Sequence, residues 1–168
     1  MAALISPLVA WLSDLVDDQI SALRSDRYPA DLGPTPYPLI NADRTSEVRY
    51  VGHDLRPFAG ACRRIVLSLE VRIAYRYAVE PTTVGADDGE ASTSTARLRC
   101  ADDAALIREA CLNASLYGTV SNGAVVEMMT PGPHTIDDPG DGSLIGVLPV
   151  ELVASYSPST VTAGAALG

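Results

Sequence analysis

The sequence predicts an α+β domain: a mainly antiparallel β-sheet with one very long strand and two helices packed on one face. Three observations lead there. Residues 64–79 alternate, with Ile65, Leu67, Leu69, Val71, Ile73, Tyr75, Tyr77 and Val79 on one side. Arg64, Ser68, Glu70, Arg72 and Arg76 fall on the other, where only Val66, Ala74 and Ala78 are apolar. Side chains of a strand point alternately to opposite faces, so this run makes one strand with a dry face and a charged face. At ~3.3 Å per residue it would span roughly 50 Å, two to three times a common strand. Two other segments repeat apolar residues at helical spacing, and the remaining apolar runs are short and strand-like. The order helix, strands, long strand, helix, strand, strand suits one layer of helices on one sheet.

Taken in order, the first element is a helix over residues 4–23, in which Leu4, Leu8, Leu12, Leu15, Val16 and Ile20 recur every three or four positions. Ser13, Asp14, Asp17 and Asp18 take its opposite face. Ser6 is placed to cap it, and Pro7 is tolerated in a first turn. The helix should stop near Asp26, because Pro29 disfavours helical angles at the residue before it. Pro29, Gly33, Pro34, Pro36 and Pro38 then make an extended, turn-rich connector. A second strand start is expected at Leu39 and Ile40, and a short strand over residues 47–55.

After the long strand, residues 80–96 are rich in Pro, Thr, Gly, Asp and Ser and almost free of large apolar side chains. Such a stretch cannot bury enough surface to offset its ordering entropy, so an exposed arm or loop is expected across residues 80–100. A second helix follows over residues 102–117, capped by Asp102 or Asp103, with Leu106, Ile107, Ala110, Cys111, Ala114 and Tyr117 as its stripe. A strand is expected over residues 124–130, a turn or flap over 131–142, and a final strand over 144–156. Pro149 in that strand suits an edge position or a bulge. The predicted organisation is one domain over residues 1–156 and a flexible, small-residue tail over 157–168.

Composition narrows the function. With 168 residues the chain is long enough for one domain with a real core, and a formal charge of -9 argues against gripping nucleic acid phosphates. It does not argue against standing beside DNA, since an acidic surface lets a duplex pass without sticking. All 12 basic residues are Arg. No apolar run reaches the ~20 residues of a membrane helix, and no basic region precedes the early apolar residues, so neither a span nor a signal peptide is expected. Cys62, Cys100 and Cys111 are odd in number and lack C-x-x-C spacing, which suits reduced thiols rather than a disulfide frame or metal site.

Residues for chemistry are few. His53 ends a strand and His134 lies between Pro133 and Thr135 in a turn. No G-x-S-x-G, H-E-x-x-H or Gly-rich phosphate loop is present. Asp137, Asp138 and Asp141 in DDPGDG have some of the spacing of a calcium loop, but Pro139 and Leu148 stand where two ligands belong. A solvated hairpin turn is the simpler reading there. Asp87, Asp88 and Glu90 form a second acidic cluster, read as part of the arm. Glu70, Arg72 and Arg76 share one strand face and are the candidate subunit-interface or lumen face. No enzyme, no metal and no cofactor is expected.

With its helix at 4–23, LSLEV at 67–71, a helix at 102–117 and a closing hairpin that ends in ELVASY at 151–156, the chain resembles the tail terminator proteins of long-tailed, lambda-like bacteriophages. The resemblance is one of element order over most of residues 1–156. The proline-rich 33–38, the long 80–96 and the tail depart from that pattern. The resemblance implies a homo-hexameric ring that caps the finished tail tube, stops its polymerisation and docks the head-side stopper or connector protein. The major tail tube protein is then its other partner, and DNA passes through the lumen without specific binding. Its place is the tail neck of the virion, assembled in the host cytoplasm and with no membrane contact. Under this reading the acidic residues of the arm and the flap are candidate assembly contacts. Two further readings stay open: another head–tail neck or tail completion protein, and a small α+β domain that holds a ligand between sheet and helices.

Overall fold

The computed structural model describes residues 2–26, 45–76, 87–138, 143–159 and 161–162. Its elements are β1 (Ala2–Ala3), α1 (Ile5–Asp26), β2 (Thr45–Pro57), β3 (Arg63–Arg76), α2 (Asp87–Leu112), β4 (Val125–Pro131), β5 (Thr135–Asp137), β6 (Ser143–Tyr156) and β7 (Val161–Thr162). The main sheet has the order β2-β3-β6-β4, with β5 also pairing β6, and each of these pairings is antiparallel. The fold is therefore α+β with a mainly antiparallel sheet.

The alternation of β3 sets the layers. Ile65, Leu67, Leu69, Val71 and Ile73 are all buried, and their register partners on β6 are Ala154, Leu152, Val150, Leu148 and Gly146. Leu4, just before α1, and Leu8, Leu12 and Val16 of α1 join this row in one hydrophobic cluster, as do Cys100, Ile107 and Cys111 of α2. Both stripes repeat at three or four residues, which puts each on one side of its helix. Both helices thus cover the same face of the sheet, and the core lies where the sequence places it.

Several expectations need correction. β3 is long, with 14 described residues, but it is not the one long strand: β2 has 13 and β6 has 14. The alternation at 77–79 lies outside the described residues, as does the connector at 29–38 with Leu39 and Ile40. From residue 87 onwards the chain is helix rather than loop, because α2 begins at Asp87 and takes Asp88 and Glu90 into its first turn. Residues 87–96 are Asp, Gly, Glu, Ala, Ser and Thr and offer no apolar period from which a helix could be read. At its other end α2 stops at Leu112 rather than 117. A short 3-10 turn, Ala114–Leu116, follows, capped by Asn113, whose side chain accepts from the Ser115 N–H.

The tail is not wholly free either, since Val161 and Thr162 pair in parallel with Ala2 and Ala3. Two residues of pairing are too few to leave any periodic trace in the sequence. Pro149 lies on neither an edge nor a bulge. β6 is central, and Pro149 sits opposite Glu70 of β3. On the other side β4 ends at Pro131, opposite Val150, and β5 begins at Thr135, opposite Val147. Pro149 faces that gap, where its carbonyl accepts from the Gly132 N–H at 2.8 Å and its missing N–H breaks no ladder.

Candidate interaction face

Because both helices cover one side of the sheet, the other side carries the even-numbered residues of β3. Glu70 and Arg72 stand there half-buried, and Ser68 is exposed. Arg76 ends β3, and its side chain lies outside the described residues. The hairpin register adds two residues to this face: Glu47 lies opposite Arg72 and Arg49 opposite Glu70. The result is a two-by-two checkerboard of alternating charge on neighbouring strands. Directly opposed residues of unlike sign attract weakly across a sheet. Among the described residues, none of these four makes an ion pair or a side-chain hydrogen bond.

Further along the same face the charges do find partners. A bulge at Val51, between Tyr50 and Gly52, shifts the parity of β2 and brings Gly52, Asp54 and Arg56 to this side. Arg56 pairs with Asp54 at 2.9 Å. Arg64 reaches across β6 to Glu127 at 2.8 Å, and its guanidinium stacks 4.1 Å above the Phe58 ring. Glu127 is itself set by a bulge between Val126 and Met128. Val66 and Val153 are buried beneath these long side chains, while Val125 and Met128 remain exposed at the β4 edge. At the other edge Tyr50, Val51 and Leu55 of β2 are exposed.

A second cluster joins α2 to the flap over residues 131–138. Arg97 pairs with Asp138 at 3.1 Å, and Cys100 Sγ lies 3.4 Å from His134 Nε2. Arg108 donates to the Pro131 carbonyl at 3.5 Å and to the Gly132 carbonyl. Burial lowers the pKa of His134 below the ordinary histidine value, and the Arg108 charge adds to the shift. Burial pushes the Cys111 thiol up to about 11, against the pull of Arg108. The cavity at the Cys100–His134 contact, lined by Val71, Ile73 and Ile107, has a volume of about 10 Å³. That is roughly the room of one water molecule. Gly146 makes the contact possible, since a Cβ there would overlap Cys100 Sγ. The cluster therefore braces the flap against α2.

The remaining predicted residues are dispersed. Asp137 is exposed on β5, and Asp138 is engaged by Arg97. Asp141 lies outside the described residues, and so do the side chains of Asp87, Asp88 and Glu90. His53 is exposed on β2, where Nδ1 lies 2.7 Å from the Tyr50 hydroxyl. Among the described residues no group of three or more His, Cys, Asp or Glu is placed to hold a metal ion. No helix there is long and apolar enough to cross a membrane. Sequence reasoning found Glu70 and Arg72 but missed Glu47 and Arg49. Their alternation with Val48 and Tyr50 was visible, and only the hairpin register was lacking. No protein-family model matches the chain, and no curated protein does.

Proposed function

We propose that this chain is a structural virion protein, the tail terminator of a long-tailed phage. On this reading six copies close into a ring on the finished tail tube, stop its growth and present the opposite rim to the head-side connector. DNA crosses the lumen without being held. The observation that carries the reading is the one-sided layering: both helices cover one face of the sheet, and the other face keeps charges of both signs that are unpaired among the described residues. A subunit that must seat neighbours needs such uncommitted surface, and the β2 edge with exposed Tyr50, Val51 and Leu55 offers more of it. A cyclic ring joins unlike surfaces of successive copies, and the open face and the β2 edge supply them. The net charge of -9 suits a passage that must not retain a duplex.

A ligand-binding domain would need enclosed space between helices and sheet, and among the described residues the cavity beside His134 has room for only about one water molecule, so it gives that reading no support. The test is assembly. Purified tube protein should polymerise to bounded lengths when this chain is added, with a six-fold ring at one tube end by electron microscopy. Tubes of unchanged length and bare ends would overturn the reading.

A further inference from the structure

We propose that free subunits of this chain pair as a two-fold dimer through the bare side of the sheet, β2 and β3 of one copy lying over β3 and β2 of the other. The occupant of the face is thus a second copy of the chain. The argument rests on the symmetry of the charge pattern. Glu47 and Arg72 occupy one rung of the hairpin, Arg49 and Glu70 the next. A two-fold axis in the plane of contact, parallel to the strands and midway between β2 and β3, exchanges the two columns of this checkerboard. Glu47 of one copy then faces Arg72 of the other, and Arg49 faces Glu70, so all four charges per copy meet their opposites.

The neighbouring rungs permit close approach. Gly52 would face Ser68, both small. Arg56 would face Arg64, but each is already engaged within its own chain, by Asp54 and by Glu127. Sheets that pack face to face keep their strands nearly aligned, as this axis requires. Glu70 and Arg72 are already half-buried with no ion-pair partner among the described residues, so part of their desolvation cost is spent before the second copy arrives. The contact joins like to like, whereas a cyclic ring joins unlike surfaces. It therefore belongs to the free subunit and stands apart from the terminator reading, which is tested on tubes.

The experiment uses the purified full chain alone. At low ionic strength native mass spectrometry and sedimentation should give twice the 17.6 kDa of the chain, and added salt should weaken the pair. Glu47→Arg places two arginines opposite two arginines, and Arg72→Glu places two glutamates opposite two glutamates. Each variant alone should dimerise about tenfold more weakly or worse. Mixed together they should form a heterodimer as tight as the parent pair, because every charge then faces its opposite. A purely structural role for either residue would not produce that rescue. Arg49→Glu and Glu70→Arg repeat the test on the next rung should the first pair fold poorly. A monomer at every concentration, a dimer indifferent to these changes, or a mixture that stays monomeric would each overturn the proposal.

Discussion

Leu69 is 2 % exposed in the middle of β3, with Tyr50 opposite on one side and Val150 on the other. Its burial was legible from alternation alone, and Leu69→Asp should abolish cooperative folding. An unpaired carboxylate there costs several kcal/mol against a total margin of ~5–15 kcal/mol; a thermal melt checks it. The thiols were not legible in this detail. Cys62 is exposed while Cys100 and Cys111 are buried, so a thiol reagent should modify Cys62 alone in the native protein and all three after denaturation. His134 gives a pH dependence whose sign follows from its lowered pKa. Between its folded value and the ordinary ~6.5, the unfolded chain binds the proton and the folded chain does not. Stability should thus fall as pH drops below ~6.5 and level off below the folded value. The His134→Gln variant should lose that part of the slope in denaturant melts at a series of pH values.

Among the elements, sequence patterning located α1, β3, β4 and β6 because each carries a buried stripe of the right period, and β2 by its alternation alone, of which only Val48 packs partly against the core. It failed on the first turns of α2, whose sequence has no apolar period, and on the two-residue β1 and β7. The flap was legible as irregular chain but not as braced chain, since its anchors Arg97, Cys100 and Arg108 come from a helix far away in sequence. Glycine 132 shows how tightly the flap is seated: a Cβ there would stand 2.8 Å from Pro149 Cγ. Gly132→Ala should therefore push the flap off β6 and destabilise the protein by about 1–3 kcal/mol in urea melts, the usual cost of overpacking. A stability equal to that of the parent would show that the flap shifts freely.

For the molecule as a whole, the sheet class and the sidedness of the helices followed from the charged and dry faces of residues 64–76. The candidate face was half legible. One strand of the checkerboard could be read, and its complement on β2 needed the register. Patterns along a chain report which residues share a face, but not which rung of the next strand they meet. Assembly hangs on that second kind of information. Charge reversal at Arg72 should accordingly leave the melting midpoint within about 0.5 kcal/mol equivalents of the parent, as for other surface sites, while changing self-association. Parallel melting and native-mass measurements on the same preparation separate the two effects.

The central place of β6 has a kinetic consequence. β3 meets β6 from Arg63 with Tyr156 to Arg76 with Ser143, contacts between residues far apart in the chain. Such non-local pairing carries a large loop-closure cost before any contact rewards it, and it places the fold among slow, millisecond-to-second folders. During synthesis the β2–β3 hairpin leaves the ribosome with one long flank unpaired and must wait for β6, which follows only after α2, β4 and β5. Until then that flank is a template for the wrong strand. A nascent chain halted at Asp138 should therefore bind chaperones or aggregate, and one extended through Tyr156 should become protease-resistant within seconds of release.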